Sequence, residues 1–157
     1  MRKVIANTTP LIALANIDRL ELLRELYGTI IVPQAVIDEI IREPAKHRVQ
    51  NAAWIKVVTI RESSQKDIFR ARLHAGEVEV MILAREQNAD LVIMDDDAAK
   101  KTAKFLGFNV TGTLGVLLKA KREGYLEKVG PIMDELIHDG LFISDTLKGY
   151  MLNEAGE

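Results

Sequence analysis

The sequence predicts an α/β domain, a three-layer sandwich with a central, mainly parallel sheet flanked by helices. Three observations carry that expectation. Short aliphatic runs recur along the chain with helix-patterned segments between them. Two of the runs, Thr29-Ile30-Ile31-Val32 and Leu91-Val92-Ile93-Met94, are almost wholly β-branched or apolar, the pattern of strands covered on both faces. The chemically loaded residues, Asn7-Thr8-Thr9 and Asp95-Asp96-Asp97, directly follow such runs, and parallel sheets bind ligands at the carboxyl ends of their strands.

In chain order, the run at residues 3–6 stops at Asn7-Thr8-Thr9-Pro10, a threonine cap and a proline that open a helix through Ile17. Leu20, Leu22, Leu23 and Leu26 continue the helical period to Gly28. Pro33 opens the next helix, with Val36, Ile37, Ile40 and Ile41 on one face, and Glu43-Pro44 ends or bends it. Residues 45–54 are predicted helical, 55–60 an edge or partly exposed strand, 63–74 a polar helix, and Ala75-Gly76 a break. Helices at 77–87, 98–106, 114–122 and 128–138, strands at 91–94, 108–111 and 141–144, and a last helix from Asp145 complete the pattern.

The chain has 157 residues, which fits a single domain spanning 1–157. A chain of this size buries about 70% of its unfolded surface and folds without disulfides or a structural metal. It holds no cysteine, which excludes a zinc–thiolate site, a thiol nucleophile and an iron–sulfur cluster. The net charge of −2 gives no overall basic field, so any nucleic-acid contact depends on a local patch. No apolar run approaches the roughly 18–20 residues of a membrane span. The polar residues that follow Ala6 leave no room for a signal peptide's apolar region, so a cytoplasmic protein without membrane partners is expected. Walker A, GxGxxG and GxSxG sequences are absent, and His47, His74 and His138 are scattered like surface or packing histidines. Thr111-Gly112-Thr113-Leu114-Gly115 places small residues at a strand-to-helix junction, for tight packing or to leave a helix N-terminus open to an anion.

Three adjacent aspartates repel one another unless a cation or hydrogen-bond donors stand nearby, and a hard divalent ion such as Mg²⁺ takes oxygen ligands of this kind. The plainer explanation of the triplet is that Asp97 caps the helix at 98–106 while its neighbours are solvated. Glu39 lies beside an apolar face, whereas Asp38 is the more solvated of the pair. Glu77 sits at a helix start, where the backbone dipole favours a carboxylate, and Glu79 lies further in beside Val80-Met81-Ile82.

Together these pieces resemble the PIN-domain family, and most closely short, stand-alone prokaryotic PIN-like proteins similar to VapC-type toxin ribonucleases. The resemblance is carried by Asn7-Thr8-Thr9-Pro10-Leu11-Ile12-Ala13-Leu14, Val32-Pro33-Gln34-Ala35-Val36-Ile37-Asp38-Glu39-Ile40, Gly76-Glu77-Val78-Glu79, Leu91-Val92-Ile93-Met94-Asp95-Asp96 and Thr111-Gly112-Thr113-Leu114-Gly115, in that order. It implies a ribonuclease that holds Mg²⁺ or Mn²⁺ and hydrolyses RNA phosphodiesters, in many relatives as the toxin paired with an antitoxin protein, and commonly as a homodimer. Carried over residue by residue, the metal set falls on Asn7, Glu39, Glu77 or Glu79, and Asp95, Asp96 or Asp97, with Glu39, Glu79, Asp95 and Asp96 as the catalytic acids. Thr8 and Thr9 match polar residues that orient water. The family's usual first aspartate is Asn7 here, which keeps an oxygen ligand and loses a charge, so a catalytically weakened module that binds RNA or a protein is the alternative.

Two further expectations follow. Asn7, Glu39, Glu79 and the aspartate triplet should converge on one pocket, with Lys100, Lys101, Lys104, Arg42, Lys46 and Arg48 offsetting its charge. Leu20, Leu23, Leu26 and Ile41 should supply an apolar face for self-association.

Overall fold

A computed structural model of the chain describes residues 2–61 and 74–157. Its elements are β1 (Val4–Ala6), α1 (Thr8–Asn16), α2 (Glu21–Tyr27), β2 (Ile30–Pro33), α3 (Gln34–Glu39), α4 (Ala45–Gln50) and β3 (Ile55–Val58). After these come α5 (Ala75–Gln87), β4 (Leu91–Ile93), α6 (Asp97–Phe105), β5 (Val110–Thr111), α7 (Thr113–Arg122), α8 (Gly130–His138) and α9 (Asp145–Glu154). The helix expected at 63–74 falls, except for His74, outside the described residues.

The strands form one five-stranded sheet in the order β3-β2-β1-β4-β5, and every pairing is parallel. β1 is central, with Val4 opposite Ile30 on one side and Leu91 on the other. All residues of β1 and β4 are buried, which is why their sequences show no alternation. β3 lies at the edge with Lys56 turned to solvent, as its mixed pattern predicts.

Helices flank the sheet. α5 packs on β1 and β2 with α3 against it, and α1 packs against α4 and α7. Residues 76–84 of α5 are buried without a break, so this helix has no solvated face along its first half. Side chains such as Ile82 and Leu83 there each contribute about 1.5–3 kcal/mol by leaving water.

Local readings need four corrections. Asn7, not a threonine, is the cap residue of α1. The segment at 141–144 is not a strand: Leu141 N–H donates to Leu136 O at the end of α8, and Ser144 Oγ accepts Leu147 N–H as the cap of α9. Its two ends are thus taken up by the helices it joins. Leu20 and Leu23 belong to the core and Leu26 is partly buried, so only Ile41, 72% exposed, remains of the apolar face expected for self-association. Asp96 rather than Asp97 caps α6, its Oδ2 accepting Ala99 N–H at 2.9 Å.

Glu157 ties the last turn to the body of the protein. Its carboxylate accepts Val129 N–H at 2.7 Å and Gly130 N–H at 3.0 Å, at the start of α8, and pairs with Lys121 at 2.8 Å.

Candidate active site at the carboxyl edge of the sheet

The chain builds the sheet outward from β1 to β3 and then returns to lay β4 on the other side of β1. Strand order therefore reverses between β1 and β4, and the crevice beyond their carboxyl ends is where a parallel sheet accepts ligands. Asn7 ends β1 and Asp95 follows β4. The backbone joins the two strands there, Asn7 N–H donating to Ile93 O at 2.8 Å.

On the β1 side a cavity of about 290 Å³ is lined by Asn7, Thr8, Thr9, Glu39, His74 and Glu77. Asn7 has extended dihedrals before α1 (φ −86°, ψ 175°), yet its side chain makes no capping hydrogen bond. The residue is 5% exposed, and its Oδ1 is buried with no hydrogen-bond partner among the described residues. A buried acceptor left without a donor costs about 1–3 kcal/mol. Glu39, the last residue of α3, reaches the same cavity. Its Oε2 accepts the Thr8 hydroxyl at 2.7 Å and its Oε1 accepts Gly76 N–H at 2.6 Å. A Cβ at position 76 would stand 2.6 Å from Glu39 Oε2, so glycine lets α5 begin against this carboxylate without pushing it aside. Glu77, buried in the first turn of α5, accepts His74 N–H at 3.0 Å.

On the β4 side, Asp95 receives both donors of one residue: Thr113 N–H at 2.8 Å on Oδ1 and the Thr113 hydroxyl at 2.6 Å on Oδ2. The N-terminus of α7 thus takes an internal carboxylate where an external anion was one sequence-based option. Gly112 makes the approach possible, since a Cβ there would lie 2.6 Å from Asp95 Oδ1. Asp95, Asp97 and Lys100 line a second cavity of about 450 Å³ with Thr113 and the 141–144 segment.

The predicted site residues thus reach one sheet edge but divide between two cavities, with Asn7, Glu39 and Glu77 in one and Asp95 and Asp97 in the other. Asp96 and Glu79 line neither. Glu79 is buried and its Oε1 accepts Ala35 N–H at 3.1 Å, in the first turn of α3. Of the expected cations, Lys100 lines the β4-side cavity, whereas the Arg48 guanidinium donates to Ala15 O. The sequence named His74 only as a surface or packing histidine and Thr113 only within the small-residue junction at 111–115. Their signals were positional: His74 immediately precedes a helix start, and Thr113 follows Gly112 where β5 meets α7.

The chemistry of the β1-side donors fits a hard divalent cation. Asn7, Thr8, Thr9, Glu39 and Glu77 bring side-chain oxygens to the cavity beside the His74 ring, and one of these is a buried amide oxygen with no donor among the described residues. Among the described residues no three His, Cys, Asp or Glu side chains are grouped to hold a metal. Mg²⁺ needs only one or two carboxylates when water completes its shell.

A family model for a PIN domain matches residues 3–157, and the chain belongs to that family. No curated protein matches the chain. PIN domains are generally nucleases and usually depend on divalent metal ions. No helix among the described residues is long and apolar enough to cross a membrane.

Proposed function

We propose that this PIN-domain protein is a Mg²⁺- or Mn²⁺-dependent endoribonuclease, a toxin of the VapC type that is held in check by an antitoxin protein. The observation that carries the reading is Asn7 Oδ1, buried and without a donor, in the cavity that Glu39 also enters. Asn7 and Glu39 would hold the ion, with Glu77 beside them. A bound divalent ion supplies Lewis acidity and offsets charge at the phosphate. Glu39 accepts a proton from the attacking water, its position fixed by the Thr8 hydroxyl and Gly76 N–H. Asp95, fixed by Thr113, is the second carboxylate of the edge. Asp96 and Asp97 act on α6 and at the cavity wall, and Glu79 orders the start of α3. The protein works in the cytoplasm, and Ile41 is the surviving candidate contact for a homodimer.

A second reading, a catalytically weakened module that binds RNA or a protein, is favoured by the spread of the carboxylates over two cavities and by the charge missing at Asn7. Cleavage of a mixed single-stranded RNA pool, with Mn²⁺ and with chelator, separates the two. The nuclease reading expects chelator-sensitive cleavage by the natural protein that Glu39→Gln abolishes. Absence of cleavage by both the natural protein and Asn7→Asp, with no Mn²⁺ bound, supports the second.

A further inference from the structure

The β4-side cavity has a composition that carboxylate chemistry does not explain. Its apolar wall is Leu141, Leu147 and Met151, and its volume of about 450 Å³ is that of a small-molecule seat. At its rim Phe142 is 87% exposed, with Leu147, 40% exposed, also lining it. A large ring left in water beside an apolar hollow marks a contact surface rather than a core residue. Lys100 is partly buried and lines the same cavity with Asp95 and Asp97, and its ammonium group borders the same point in front of Gly112 as the Asp95 carboxylate. Thr113 already donates twice to that carboxylate, and among the described residues no carboxylate pairs with Lys100. An aromatic face, an aliphatic floor and a point cation without a direct ion pair are what a nucleotide meets when its base stacks and its phosphate is neutralised.

We propose that this cavity seats one unstacked base of a single-stranded RNA, with Phe142 as the stacking face and Lys100 on the adjoining phosphate. The proposal rests on the ribonuclease reading and assigns how the substrate is held beside the carboxylates. A base inside a duplex offers no free face, so the seat selects single strands. The occupant is RNA rather than an apolar peptide because Lys100 lines the same hollow as the ring, together with Asp95, the acid that follows β4 at the carboxyl edge of the sheet.

The test uses the full chain, in chelator, with a short single-stranded RNA carrying 2-aminopurine. Stacking in the seat quenches its fluorescence on binding. Phe142→Ala is expected to abolish the quench and weaken binding about tenfold, and Phe142→Trp to restore both. Lys100→Ala is expected to weaken binding and lower its salt dependence by about one ion. Unchanged affinity and quench in Phe142→Ala, equal binding of the duplex form, or no RNA binding by the natural protein overturns the proposal. A change from dimer to monomer in Phe142→Ala with RNA binding intact assigns the face to a second copy of the chain, and loss of binding only to an antitoxin peptide assigns it to a protein. Cleavage of the same RNA with Mn²⁺ is measured in parallel. Quenching without cleavage leaves the seat standing and removes the nuclease reading. Cleavage with KM unaltered by Phe142→Ala does the reverse.

Discussion

Asp95 and Asn7 follow neighbouring strands of one sheet, and their surroundings treat them in opposite ways. Both oxygens of Asp95 are engaged by Thr113, a residue buried completely, beside Gly112, where a Cβ would crowd the carboxylate. Asn7 is as deeply placed, at the position where an asparagine would normally cap α1, yet its oxygen caps nothing. The carboxylate whose hydrogen bonds the chain supplies itself helps hold β4 and α7 together. The oxygen left over finds no donor among the described residues, and a buried acceptor of this kind calls for one. Similar residue types on one edge thus divide into a fixed half and a receptive half.

The sharpest way to break this comparison is to neutralise a carboxylate on each side. Glu39→Gln is expected to lower chelator-sensitive RNA cleavage by roughly 10²–10⁴-fold, the usual weight of a general base, with little change in melting temperature. Asp95→Asn is also expected to lose cleavage, but with a loss of stability, because the two bonds to Thr113 then run to a neutral amide instead of a charged carboxylate. Equal melting temperatures for the two variants would count against the division. A second comparison removes one hydroxyl from each side. Thr113→Val should cost about 1.5–3 kcal/mol in urea unfolding, since it strips a buried bond to a charged acceptor. Thr8→Val, whose partner Glu39 is exposed, should cost less than about 1 kcal/mol.

Asn7→Asp sharpens the receptive side. A carboxylate in this buried position is expected to tighten Mn²⁺ binding by roughly tenfold in calorimetry, because opposite charges attract more strongly where the effective dielectric is below that of water. In chelator the same variant should melt lower at neutral pH than at acidic pH, since the new charge faces Glu39 and Glu77 and is relieved by protonation. The smallest effect belongs to Glu157, which lines neither cavity. Its hydrogen bond with Lys121, then those from Val129 and Gly130, hold its carboxyl at about 2, well below the usual 4.5. Its stabilisation is therefore complete above about 4.5 and fades as pH falls from there toward 2. Acid titration should show Glu157→Gln converging with the natural protein over that window.

The parallel sheet and its strand ends were legible because buried aliphatic runs such as residues 91–94 have no competing explanation. The reading failed where local pattern had to yield to long-range partners. The 141–144 segment has strand composition, but its donors and acceptors go to α8 and α9. Leu20 and Leu23 looked surplus to a small core because the fold that absorbs them is not visible in one helix. Glu39 came from the family resemblance, its place beside an apolar face being compatible with a solvated residue, and it lines the β1-side cavity. The separate uses of Asp95, Asp96 and Asp97 were not legible, since they depend on Thr113 and Ala99, which no spacing rule links to them. His74 was hidden for the same reason, as its role follows from where α5 begins.

The central position of β1 also has a consequence for synthesis. Its first neighbour, β2, emerges soon after it, but β4 appears only after more than half of the chain has been made. Until then a nascent chain carrying Val4, Ile5 and Ala6 has an open parallel edge of wholly apolar strand with no second pairing partner. Such an edge is a template for pairing with other chains. A chain released before Leu91 should therefore self-associate through β1, and the finished protein should escape that fate as soon as β4 closes over it.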